Sequence, residues 1–371
     1  MSTVAHPEPY EIRIADDVLE DMRARLRNTR WLSQPAGESW SLGADVDYLR
    51  ELCGYWADGY NWRATERRLN ELPGFCFEGV HFWHVRSGGD RLPVMLIHGW
   101  PGAPLEFEAV IPMLTEAGHD VVVPSLPGFA WSSQPSAPPN VAGIAAQLRE
   151  LMEEGLGIGR YAVQGGDWGS VIAARMAFDS PEAVAAIHLN TPGVLPAPGD
   201  LSERELSEAE QAYVGAVPRW MLREGAYMVL QGTIPDALGV SLMDSPAGLA
   251  AWLVDKYRSW SDCDGDVESR LPRDLLCNLL TIYWATGAAG SAMRLYLGER
   301  RERWRLGAGE RIEVPTAVAD FPGEILRPPR EWVERSVNVR RWTEIDRGGH
   351  FAAIEEPDLL ATDLIEFLEA L

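Results

Sequence analysis

Asp167 stands at the centre of Gly165-Gly166-Asp167-Trp168-Gly169-Ser170, directly after the apolar run YAVQ and directly before the helix-forming run VIAARMAF. Strand, small-x-acid-x-small turn and helix in that order describe a tight elbow, whose close backbone packing requires small residues around a strained central residue. A side chain presented in this way is a nucleophile, and its type selects the electrophile. Serine attacking an sp3 carbon would leave a stable ether, whereas a carboxylate leaves an ester that water can cleave at its carbonyl. The substrate implied is therefore an alkyl electrophile, an epoxide or an alkyl halide, rather than an acyl compound. The competing reading is a Gly-rich turn in which Asp167 only caps the following helix.

Hydrolysis of such an ester needs a base, and the base needs an orienting acid. His350, in Arg347-Gly348-Gly349-His350-Phe351, lies in a Gly-rich loop between a strand and the last helix, and is the best placed of the seven histidines. His81 and His84 flank a strand-like HFWH and His188 lies in an apolar strand, so these three read as structural. The strand-like IEVPTAVADF runs into Pro322-Gly323-Glu324, which places Glu324 at the carboxyl end of a sheet strand. Asp320 competes with it, and spacing does not separate the two. The chain order is nucleophile, acid, histidine, as this kind of elbow requires. Two backbone N–H groups should hold the oxyanion: that of Trp168, and one from His98-Gly99-Trp100-Pro101-Gly102. Trp100 is the donor expected there, because Pro101 has no N–H. The chemistry calls for no metal and no organic cofactor. Asp262-Cys263-Asp264-Gly265-Asp266 hints at calcium, but its Gly comes too early and no glutamate follows at the twelfth position, so it reads as a turn and helix cap.

The elements that must position these groups are legible as a change of pattern. Residues 10 to 90 are rich in Arg, Trp and acidic residues, with helical spacing in Val18, Leu19, Met22, Leu26 and in Val46, Leu49, Leu52, and read as a helical preface. Short apolar runs then begin: LPVMLIH (92–98), DVVVP (120–124), RYAVQ (160–164) and AVAAIHL (183–189), with helical stretches such as 141–154 between them. Alternating strand and helix predicts a mostly parallel, doubly wound sheet. From 197 to 305 strand signals give way to amphipathic helical stretches, an inserted lid; strands resume at 313–321 and 340–345, and a helix closes the chain. The expected division is an extension over 1–90, a core over 91–196 and 306–371, and the lid over 197–305.

Composition narrows the partners. A net charge of −22 repels nucleic acid and anionic membranes. Cys53, Cys76, Cys263 and Cys277 form no CxxC pair and read as free buried thiols. No apolar run is long enough to span a membrane, and MSTVAHPEPYEIRI has neither a basic nor an apolar leader region, so a cytoplasmic protein is expected. With 15 Trp in the chain, exposed Trp-rich surface could support a homodimer.

Six segments together carry a family resemblance: HGWPGAPLEF (98–107), PSLPGFAWSSQP (124–135), GGDWGS (165–170), DSPAGLAAWLVDKYRSWSD (244–262), FPGEIL (321–326) and RGGHFAAIEEP (347–357). The sequence resembles the microsomal-type epoxide hydrolases of the α/β-hydrolase superfamily over nearly its whole length, including the N-terminal extension that wraps against the lid. The resemblance implies the α/β-hydrolase fold and conversion of a small-molecule epoxide to a vicinal diol. It matches Asp167 to the nucleophile, His350 to the water-activating base and Glu324, rather than Asp320, to the orienting acid. It also implies two lid tyrosines that hydrogen-bond the epoxide oxygen, Tyr227 in REGAYMVLQ and Tyr296 in SAMRLYLGE. The chain departs from the family at Ala130, where Gly is usual, and at Trp131, bulkier than the common Phe or Tyr; the membrane anchor of the mammalian members is not expected here. A haloalkane dehalogenase would share the Asp elbow and the Trp after it, and a non-catalytic binding protein would share the fold. The lid tyrosines and long preface argue against the first, and the intact acid, base and nucleophile against the second.

Overall fold

The structure, a computed structural model, describes residues 6–192, 206–307 and 309–371. Among these, nine strands make one sheet: β1 (Glu8–Pro9), β2 (Gly74–Phe77), β3 (Val80–Val85), β4 (Arg91–Ile97), β5 (His119–Pro124), β6 (Tyr161–Gly165), β7 (Val184–Leu189), β8 (Ile312–Asp320) and β9 (Val337–Glu344). Their order is β1-β2-β3-β5-β4-β6-β7-β8-β9. The run β5-β4-β6-β7-β8-β9 is parallel, and β1, β2 and β3 add an antiparallel edge. Every residue of β6 and β7 is buried, as befits parallel strands covered by helices on both faces.

The helical reading of 10–90 holds for Asp16–Arg27, Val46–Asp58 and Trp62–Leu69 and fails beyond them. β2 and β3 form a hairpin whose two connecting residues, Glu78 and Gly79, have φ of 46° and 80°. That is the backbone twist a two-residue hairpin turn demands. The preface therefore also builds the sheet's antiparallel edge. Its helices clasp the lid: Asp45 caps Val46–Asp58 through the N–H groups of Asp47 and Tyr48, and the helix buries Trp56, whose indole N–H donates to Thr281 Oγ1 at 2.8 Å. Thr65 donates to Asn278 Oδ1 at 2.7 Å. The lid itself comprises Glu208–Arg223, Ala226–Gln231, Pro235–Asp244, Pro246–Trp260, Arg273–Ala285, Ala288–Ser291 and Arg294–Arg301. The boundary expected at 196/197 lies outside the described residues.

The bland readings of several residues hold. His81 Nδ1 is 2.9 Å from Ser125 Oγ, and buried His188 lies 3.0 Å from Asp363. Asp266 accepts the N–H of Glu268 at the start of Val267–Ser269, so the acidic string is a turn and cap. The four cysteines are unpaired, though Cys76 is only partly buried. Ala130, at the position where Gly is usual, has φ +42°, a left-handed backbone that explains the preference. Trp131 packs on His81 and Trp83, with ring centroids 5.1 and 5.8 Å away.

Candidate active site

Four loops at the carboxyl ends of parallel strands converge, as sites in such sheets do. Directly after β6, Asp167 has φ +49° and ψ −127°. Its side chain does not cap the helix Trp168–Asp179 that follows, which removes the capping interpretation. Close packing explains the flanking glycines: a Cβ on Gly169 would lie 2.0 Å from the Ile97 carbonyl oxygen, and one on Gly99 2.3 Å from Asp167 Oδ1. The loop after β4 supplies the Trp100 N–H, which donates to Asp167 Oδ1 at 2.8 Å, and the Trp168 N–H reaches the same carboxylate. Burial raises the pKa of Asp167, while His350 and the two N–H groups pull it down. A carboxylate stripped of water and held by only part of its hydrogen-bonding capacity is a better nucleophile than a solvated one.

The loop after β9 brings His350 Nε2 to 3.8 Å from Asp167 Oδ2, the oxygen not bonded to Trp100. The loop after β8 brings Glu324 Oε1 to 2.8 Å from His350 Nδ1. Glu324 is fixed in turn by Thr191 Oγ1 at 2.7 Å and by the Ile325 N–H at 2.7 Å. Asp320, which spacing alone left level with Glu324, points elsewhere and forms a two-pronged ion pair with Arg327 at 2.7 and 2.8 Å. Burial lowers the pKa of His350, but the carboxylates of Glu324 and then Asp167 outweigh it and push it up to about 9. The histidine loop is tied to the lid by His350 N–H donating to the Trp260 carbonyl at 3.0 Å and Gly348 N–H donating to Asp262 at 2.9 Å.

Tyr227 and Tyr296 both reach this centre from the lid. They hydrogen-bond each other, with rings 5.9 Å apart, and the Trp100 indole lies against both, stacked on Tyr227 at 5.1 Å and edge-on to Tyr296 at 5.9 Å. Burial raises each phenol's pKa well above its usual value, and the Asp167 charge adds to the shift, so both remain O–H donors at any ordinary pH.

Three contributors carry no signal strong enough to be found in the sequence: Thr191 behind Glu324, Trp260 edge-on to His350 at 5.0 Å, and Glu106, which lines a small cavity with Asp167 and His350. Glu106 lies inside the HGWPGAPLEF segment, but nothing in its spacing distinguishes it from a solvated loop glutamate. Among the described residues no group of three or more His, Cys, Asp or Glu could hold a metal ion.

A parallel sheet with a strand–turn–helix elbow at Asp167, a loop-borne histidine and an inserted helical lid defines an α/β-hydrolase-fold enzyme. Residues 93–226 match the α/β hydrolase fold family model, and residues 7–107 match that of the epoxide hydrolase N terminus. The chain is 37% identical to a Stigmatella aurantiaca protein provisionally named an epoxide hydrolase, over 96% of this chain and 84% of that one. It is 32% identical to epoxide hydrolase 1 of Sus scrofa, over 97% and 88% of the two chains. The crystal structure of juvenile hormone epoxide hydrolase from the silkworm Bombyx mori superposes with a TM-score of 0.86 at 28% identity, covering 99% of this chain and 94% of that one. The chain belongs to the epoxide hydrolase family.

Proposed function

We propose that the protein converts a small-molecule epoxide to a vicinal diol through a hydroxyalkyl ester on Asp167, which water activated by His350 then hydrolyses. The observation that carries this reading is the division of the Asp167 carboxylate, with Oδ1 on the Trp100 N–H and Oδ2 facing His350. Oδ2 attacks an epoxide carbon while Tyr227 and Tyr296 donate to the opening oxygen. Oδ1 becomes the ester carbonyl oxygen and already accepts the Trp100 N–H, which together with the Trp168 N–H will hold the tetrahedral oxyanion. Attack by water on Cγ then passes one proton to His350, whose Nδ1–H is fixed by Glu324. The bond between Cγ and Oδ2 breaks, and Oδ2 leaves with the diol. Turnover of a styrene-type epoxide to its diol, without halide release from a haloalkane, is the test of the activity itself.

Two further results are expected. Tyr227→Phe and Tyr296→Phe should each slow ester formation by roughly 10- to 100-fold, a share of the general-acid contribution, and leave ester hydrolysis close to normal. Stopped-flow measurement of the two steps checks this; a variant slowed only in hydrolysis contradicts the role. Glu324→Gln should impair turnover more than Asp320→Asn, since Glu324 meets the imidazole and Asp320 meets Arg327. The same variant should move the free-enzyme imidazole titration down from about 9, because the largest contribution opposing burial is the Glu324 carboxylate. An NMR titration of His350 that does not move would reassign its partner.

A further inference from the structure

Asn190 and Thr191 follow directly on β7, the strand that lies between β6, which leads into Asp167, and β8, which leads into Glu324. On the Asp167 side, the Asn190 N–H donates to the Gly165 carbonyl at 3.4 Å, and Asn190 Oδ1 accepts the Gln164 amide N–H at 2.8 Å. A Cβ on Gly166 would lie 2.7 Å from Asn190 Nδ2, so this amide packs directly on the turn that presents Asp167. Ser170 Oγ, in the first turn of the helix after Asp167, lies 2.7 Å from the Asp167 carbonyl oxygen and 3.0 Å from that of Thr191. Its hydroxyl bridges the two backbones. On the Glu324 side, the Thr191 hydroxyl donates to Glu324 Oε2 at 2.7 Å. Gln164, Ser170, Asn190 and Thr191 are all buried.

The direction of these bonds follows from which atoms carry hydrogen. A carboxylate only accepts, so the Thr191 hydroxyl hydrogen points at Glu324, and its lone pairs are left to the Asn190 Nδ2–H at 3.4 Å. Oε1 of Glu324 is taken by His350 Nδ1 at 2.8 Å and the Ile325 N–H at 2.7 Å. The terminal torsion of a glutamate is broad, so partners rather than a rotamer set the plane of its carboxylate. Thr191 is the partner on Oε2.

We propose that Thr191 is a positioning residue for the second chemical step: its hydroxyl, braced against the elbow through Asn190 and Ser170, holds the Glu324 carboxylate in the plane that aims His350 at the ester. The proposal rests on the ester reading above. Thr191 exchanges no atom. The proton of the attacking water goes to His350 Nε2 and from there to Oδ2 as the Cγ–Oδ2 bond breaks, while the Thr191 hydrogen stays on its own oxygen. The brace runs along the carboxyl edge of the sheet, from β6 through β7 to the loop after β8, whereas the phenols that serve ester formation hang from lid helices. Ester formation is therefore expected to survive its loss.

The experiment compares Thr191→Val, which keeps the branched shape without the hydroxyl, with Thr191→Ser, which keeps the hydroxyl. Single turnovers of a styrene-type epoxide, followed by rapid quench and intact-mass detection, give the rates of ester formation and hydrolysis. Expected for Thr191→Val is hydrolysis slowed by on the order of 10-fold, the cost of a misaimed base, with formation slowed by less than about threefold. Thr191→Ser should recover most of the loss. In a Glu324→Gln background, Thr191→Val should slow hydrolysis by less than about twofold more, because the carboxylate it serves is gone; independent effects would multiply in full. General loosening of the fold would slow both steps, or slow hydrolysis by the same factor in both backgrounds. Equal slowing of the two steps, unchanged hydrolysis, a Ser variant no faster than Val, or an undiminished effect beside Glu324→Gln overturns the assignment. If Thr191→Val does not fold by its melting profile, Thr191→Ala takes its place in the same comparisons. His350→Gln is the control: if it traps the ester while Thr191→Val behaves as the parent, only Thr191 is misassigned, whereas no ester in any variant defeats the underlying mechanism.

Discussion

His350→Gln is expected to form the ester and then stall. On the proposed mechanism the imidazole takes no part in the first step, where Asp167 Oδ2 attacks and the two phenols donate. In the proposed second step it is the base that faces the carboxylate, with Nε2 at 3.8 Å and Nδ1 already committed to Glu324. Positioned general bases contribute about 10²- to 10⁴-fold, so steady-state turnover should fall within that range while the first turnover keeps most of its rate. Intact-mass analysis after mixing with a good epoxide should show the chain heavier by one substrate, and peptide sequencing should place the adduct in the segment containing Asp167. An unmodified chain under these conditions would mean that the histidine acts before or during the first bond-making step.

Asp167→Ala is expected to abolish both steps at once. Asp167 is the carboxylate held by the Trp100 and Trp168 N–H groups at this site, so if it is the nucleophile its loss should lower turnover by about 10⁴-fold or more and leave no adduct. A melting profile close to that of the unsubstituted chain separates lost chemistry from lost folding. Residual diol formation within tenfold (about) of the parent rate would show that water can attack the epoxide directly, and that Asp167 is not the nucleophile.

Much of this arrangement is legible in the sequence because tight geometry leaves local signs. The parallel strands appear as unbroken apolar runs since both of their faces are covered, and the elbow appears as glycines since no Cβ fits between β4 and the following helix. Where signs were local but weak, less was legible: HFWH is strand-like in the sequence and lies in β3, but its partner GFCF sits in a segment dominated by helical Trp and Arg, and the hairpin depends on the Glu78-Gly79 turn, with both φ positive. The choice between Glu324 and Asp320 was not legible from spacing at all. It depends on which carboxylate the turn at Pro322-Gly323 aims inward and on Arg327 capturing the other. Tyr227 and Tyr296 lie 69 residues apart on separate lid helices (296 − 227), and no periodicity links them; only the family resemblance singled them out. Glu106 escaped for the same reason, since its closeness to His350 is created by the loop and lid together.

The central claim, that the diol takes its new oxygen from Asp167 and not from water on the first turnover, is tested most directly by one turnover of the unsubstituted enzyme in heavy-oxygen water. With enzyme in excess over epoxide, the label should be found in the Asp167 carboxyl group, recovered by mass analysis of the peptide that contains it, and the diol should be unlabelled. Label in the diol and none in Asp167 would mean direct attack by water and would contradict the covalent mechanism.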